Sequence, residues 1–200
     1  MRQWINLFEQ AEWPEQILSD LAGWQDYADY SEVHGDERHG WQQRLIAFMR
    51  QNPHQVTTKD GYLYRGTVVH DSVAEALRNG KSAVHKKVGS LLESWSKRIG
   101  GAQGYARDDN NASLVLMRKP ISQLKIVCDI DQVPFTEESD SFEPNEVLVL
   151  TEDHSISPQD VFALCWCDYE KTGNHYSIGP DLGKDVTRDQ WVSYLKNLVY

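Results

Sequence analysis

The sequence predicts an α+β fold: a helical N-terminal segment over residues 1–55, then one strand-rich domain over residues 56–200 that closes on a helix. Three observations carry this expectation. Apolar residues recur at helical spacing through the first 55 positions, as in Trp4, Ile5, Leu7 and Phe8 and again in Ile17, Leu18 and Leu21. From residue 60 onward the apolar residues fall in short runs of strand length, separated by turn-forming stretches. At 200 residues the chain is long enough to bury a real core in a single domain.

Pro14 stands at the first turn of the helix carrying Ile17 and Leu21. A polar interval, YADYSEVHGDERHG, separates that helix from WQQRLIAFMRQN, which Pro53 ends. DGYLYRGTVV reads as a turn and a strand. DSVAEALRNGKSAV reads as a helix with Asp71 or Ser72 as its cap. ASLVLMRK and LKIVCDI alternate as strands, and DQVPFTEESDSFEPN is a long acidic loop before the short apolar strand EVLVL. VFALCWCDY is a further strand, followed by a Gly-rich loop. The last helix starts at Thr187, where Thr and Gln have the spacing of a capping box.

Charge and cysteine content remove several classes of function. The net charge of −10 argues against direct binding to a nucleic-acid backbone, which needs clustered Lys and Arg. Three cysteines, Cys128, Cys165 and Cys167, form no disulfide framework and suit a reducing compartment. No apolar run is long enough for a signal peptide or a membrane span, so an intracellular, cytoplasmic protein without membrane contact is expected.

Several motifs have ordinary readings. His34 and His39 in HGDERHG match no zinc spacing and read as a solvated loop. Asp129 and Asp131 resemble a metal-binding carboxylate pair but also fit a polar strand exit, and no metal is expected. The glycines of IGPDLGKD are one residue too close for a phosphate loop, with Asp185 where a hydroxyl is needed. Cys165 and Cys167 alternate on a strand and share one face.

Three other elements point to chemistry. Arg65 lies in the apolar strand YLYRGTVV directly before Gly66; an arginine there is costly without an anion, and its planar fork suits phosphate. In the extended step Ser94-Trp95-Ser96 both hydroxyls share one face and the indole takes the other. Glu146 opens the strand EVLVL just after the acidic loop.

That order, aromatic-Arg-Gly, then Ser-x-Ser followed by Tyr105-Ala106, then Glu-Val-Leu, resembles the Arg-Ser-Glu class of mono-ADP-ribosyltransferases over roughly residues 60–150. The resemblance implies a split pair of small mixed sheets around an NAD cleft, with NAD as substrate. It further implies that Arg65 holds the NAD phosphates, that the Gly66 backbone meets the nicotinamide amide, and that Ser94 steadies Arg65 and Glu146. Glu146 would bind the nicotinamide ribose, with Ser96 and Tyr105 as pocket-wall residues. Trp95 replaces the usual Thr and would stack on the cofactor or pack beneath it.

One position departs from the family. The residue two before the catalytic acid, which handles the acceptor in arginine-modifying members, is Pro144 here; Glu143 stands one place out. The acidic loop favours a basic target surface, such as a nucleic-acid-associated protein. The expected activity is therefore transfer of ADP-ribose to an intracellular macromolecule. Hydrolysis of NAD with water as acceptor, and an inactive acidic module that binds or mimics nucleic acid, are the alternatives. The chain is compatible with a phage-encoded or toxin–antitoxin-type enzyme acting in a bacterial cytoplasm.

Overall fold

The computed structural model of the protein describes residues 13–28, 35–85, 91–104, 113–134, 145–151, 154–168 and 173–198. Five helices and ten strands alternate along them. α1 spans Glu15–Ala28, α2 Gly35–Gln51, β1 Tyr62–Val69, α3 Asp71–Arg78, β2 Ala83–Val84, β3 Leu92–Ser96 and α4 Ile99–Gly104. Then follow β4 Ser113–Pro120, β5 Lys125–Asp129, β6 Glu146–Leu150, β7 Ser155–Ile156, β8 Val161–Asp168, β9 Gly173–Ile178, β10 Asp181–Val186 and α5 Arg188–Leu198.

Eight strands form one sheet in the order β10-β9-β8-β4-β1-β3-β6-β5, and β2 and β7 form a separate pair. Every pairing among the described strands is antiparallel, not mixed as anticipated. A parallel neighbour needs a helical crossover that returns the chain in the same direction. Here α3 and β2 lie between β1 and β3, yet β3 comes back antiparallel.

Alternation assigns the side chains to faces. Leu63, Trp95, Val115, Val147, Val149 and Leu164 share one face of the sheet and meet Ala74 and Leu77 of α3. On the opposite face Leu92, Leu148 and Cys128 pack against Ile17, Leu21, Leu45 and Met49 of α1 and α2. Tyr64, Leu116 and Phe162 pack there with Ile99 and with Leu195 of α5. The N-terminal helices thus cover the β3-β6-β5 end of the sheet. Trp4 to Phe8 lie outside the described residues.

Four local expectations change. α2 begins at Gly35, so all of HGDERHG after His34 is helix rather than loop; apolar residues start only at Trp41, and periodicity could not reveal the earlier turns. α3 is capped by His70, whose ring nitrogen accepts from the Ser72 backbone N–H, not by Asp71 or Ser72. It stops at Arg78, before Gly80 at φ 71, and Ala83–Val84 is strand. The stretch after β8, anticipated as a Gly-rich loop, contains β9 and β10, joined at Gly179-Pro180. The α5 capping box forms as the sequence implies: Thr187 N donates to Gln190 Oε1 at 2.9 Å and Gln190 N to Thr187 Oγ1 at 3.2 Å.

Candidate functional site

The sheet has a seam between β1 and β3. On its other edge β1 pairs with β4 at eight positions, from Tyr62 opposite Pro120 to Val69 opposite Ser113. β3 pairs with β6 at five, from Leu92 opposite Leu150 to Ser96 opposite Glu146. Between β1 and β3 a single pair is in register, Tyr64 with Ser96. Beyond it the strands part, and residues 65–69 and 92–95 flank a wedge.

Arg65 bridges this wedge. Its Nη1 donates to the Ser94 carbonyl at 3.0 Å, a backbone acceptor with no β1 residue opposite it. Its Nη2 lies 3.7 Å from Glu93 Oε1. Glu93 also holds His154 Nδ1 at 3.1 Å, and His154 sits at φ 49, a backbone conformation unusual for a non-glycine residue. Burial works to raise the Glu93 pKa, but the Arg65 charge and the His154 bond outweigh it and keep the carboxyl below its usual range.

A cleft of about 200 Å³ opens at this wedge, with Arg65, Thr67, Glu93, Trp95, His85 and His154 in its wall and Lys119 and Lys125 on one side. Trp95 is 3% exposed and packs in the core beneath the cleft. Its indole N–H is near enough to steady the Glu93 charge but makes no well-formed hydrogen bond. The β2–β7 pair closes one end, where the His85 N–H donates to the His154 carbonyl at 3.0 Å.

The remaining candidates lie on the other face. Trp95 and Glu93 face the cleft, so Ser94 and Ser96 face away from it, as does Glu146 opposite Ser96. Gly66 stands opposite Leu116, in the cluster that holds Tyr64. Ser96 Oγ accepts from the Arg98 N–H at 3.1 Å and caps the turn into α4. Glu146 is 4% exposed, a buried acid at the head of an apolar strand. The six candidates thus converge on the seam but not on one face: Arg65 and Trp95 on the cleft side, Gly66, Ser94, Ser96 and Glu146 on the other. Tyr105, Glu143, Pro144 and most of the acidic loop lie outside the described residues.

The Asp129/Asp131 pair has a protein partner. Lys97 Nζ reaches Asp129 Oδ1 at 2.6 Å and Asp131 Oδ2 at 3.0 Å, so a cation from the chain binds both carboxylates. Among the described residues no group of three or more His, Cys, Asp or Glu is arranged to hold a metal. Burial, with Asp129 and Glu146 nearby, pushes the Cys128 thiol well above its usual range; though His54 is 4.0 Å away, this is no thiolate nucleophile.

Sequence reasoning missed Glu93, Lys97, His85 and His154. Alternation in LESWS could have put Glu93 beside Trp95. Nothing local marks the two histidines, which meet only through the β2–β7 pairing. No described helix is long and apolar enough to cross a membrane. No family profile, curated protein or solved structure matches the chain.

Proposed function

We propose that this chain is an NAD-cleaving mono-ADP-ribosyltransferase whose reaction centre is the Glu146 side of the seam. One observation carries the reading: the Tyr64–Ser96–Glu146 register draws the Arg-Gly, Ser-Trp-Ser and Glu-Val-Leu steps together from segments far apart in sequence. The burial of both Arg65 and Glu146, each 4% exposed, supports it. Buried charges in apolar strands cost folding energy and need partners, which is how functional groups stand out in a core.

Breaking the nicotinamide–ribose bond sends the bonding electrons to nicotinamide and leaves positive charge on the sugar, as in glycoside hydrolysis. A Glu146 carboxylate bonded to the ribose 2′-hydroxyl gains strength as that charge grows, which lowers the barrier. The acceptor then attacks C1′ and releases its proton. Arg65, engaged by Ser94 and Glu93, serves in this reading to hold β1 and β3 at their parting.

The test is incubation of the purified protein with labelled NAD and a cell lysate. Label is expected on a discrete macromolecule, falling by on the order of 100-fold in Glu146→Gln. Free ADP-ribose without a labelled band would make water the acceptor. An NAD pool untouched by the wild-type protein, or consumed equally by the variant, overturns the assignment.

A further inference from the structure

We propose that Lys97, Asp129 and Asp131 are positioning residues that set the place of the Glu146 carboxylate; this rests on the reading of Glu146 as the charge-stabilising acid. Asn145, directly before it, sits at φ 73, in the left-handed region that a side-chain-bearing residue keeps only when its surroundings hold it. Two bonds do so. The Asn145 N–H donates to Asp131 Oδ1 at 2.9 Å, and the Asn145 carbonyl accepts from the Lys97 N–H at 2.9 Å.

The two grips come from the two strands that flank β6. Lys97 follows β3, whose last residue pairs with Glu146 itself, and Asp131 follows β5 on the other edge. The Lys97 ammonium ties them together through its bonds to Asp129 and Asp131. Asp129 is 2% exposed, and its second oxygen accepts from Gln132 Nε2 at 2.6 Å, while its first also takes the Asp131 N–H at 3.3 Å. Burial opposes the Lys97 charge, but its bonds to the two carboxylates prevail and raise its pKa. Burial likewise opposes the Asp131 charge, and the Asn145 N–H and Lys97 together hold that carboxyl below its usual range.

A carboxylate that stabilises a developing charge must stand at a fixed point, because a displacement of about 1 Å can cost on the order of 100-fold in rate. Lys97 and Asp131 act on Glu146 through the backbone that leads into it. Their removal is therefore expected to be felt in turnover rather than in NAD binding.

The test joins NAD-cleavage kinetics to amide hydrogen exchange. Asp131→Ala removes the acceptor for the Asn145 N–H, whereas Asp131→Asn keeps an oxygen there. Lys97→Met removes the cation, whereas Lys97→Arg keeps it. In Asp131→Ala and Lys97→Met, kcat is expected to fall about 10-fold to 100-fold. KM for NAD should stay within about twofold of wild type, and the conservative variants should recover much of the loss. Exchange at Asn145 should quicken by about tenfold or more in Asp131→Ala, with Val147 and Val149 unchanged. A wild-type kcat in Asp131→Ala, a loss that neither conservative variant recovers, or unchanged exchange at Asn145 overturns the positioning role. Equal NAD turnover by wild type and Glu146→Gln, or none by either, defeats the functional reading instead; the exchange data then decide alone whether the grip on Asn145 exists.

Discussion

Arg65 is the residue whose surroundings contradict its neighbours most. It stands in a strand of otherwise apolar and hydroxyl side chains, buried, and it answers two needs at once: an open backbone carbonyl at Ser94 and a half-buried carboxylate at Glu93. Truncation to Ala leaves both short of a partner, although His154 still serves Glu93. Arg65→Ala is expected to lower stability by about 2–4 kcal/mol. Arg65→Lys, which keeps the charge without the fork, should lose less. Urea unfolding of the three proteins measures this, and equal midpoints would mean that the seam is held by other groups. His54 gives a residue-scale prediction of a different kind. Its Nδ1 accepts from the Asp129 N–H at 3.0 Å, which requires the neutral ring at that nitrogen. Burial lowers its pKa below 6.5, despite the opposing pull of Asp129. The unfolded chain takes up the proton at higher pH than the folded one, so stability is complete above about 6.5 and declines as pH falls through the folded value. Between pH of about 7 and about 5, wild type should lose more stability than His54→Gln. Parallel curves for the two proteins would remove His54 from the acid sensitivity.

At the scale of elements, contact between α4 and β3 depends on the absence of a side chain. A Cβ at Gly101 would stand 2.3 Å from Ser96 Oγ and 3.0 Å from Ser96 Cβ, far inside van der Waals contact. Gly101→Ala is therefore expected to cost about 1–3 kcal/mol and to disturb the Ser96–Arg98 turn. Thermal unfolding is the check, and an unchanged midpoint would show that Ser96 swings aside at no cost. The elements differ in how far they were legible. The strands β1, β4, β5, β6 and β8 follow from alternation and apolar runs, β3 was anticipated only as an extended step at Ser94–Ser96, and the start of α5 follows from the Thr187–Gln190 exchange of bonds. β9 and β10 were not legible, because GNHYSI and DLGKDV carry few apolar residues; most of β10 is exposed. They hold by pairing with β8 and with each other, a contribution that hydrophobic patterning does not record.

The whole molecule couples the helical segment to the sheet. Leu21 of α1 is fully buried among Leu45, Met49, Cys128 and Leu148, so it belongs to the same core as the strand that begins with Glu146. Leu21→Ala is expected to cost about 2–5 kcal/mol. Helix content and tryptophan fluorescence should still report one coincident unfolding transition. Two separated transitions would mean that the helices unfold independently of the sheet. Local composition settled the helix or strand character of the apolar segments, from α1 and the body of α2 to β1, β4, β5, β6 and β8, because burying one face of an element imposes its own periodicity. It also singled out Arg65, Ser94, Ser96 and Glu146 as residues at odds with their strands. Tertiary structure alone decided that β1 meets β3 at one pair, that Arg65 and Glu146 consequently face opposite sides, and that Glu93 joins His154 while Lys97 joins Asp131. Those outcomes depend on the order and register of strands far apart in the chain, and a period-two pattern reads the same whichever neighbour a strand is given.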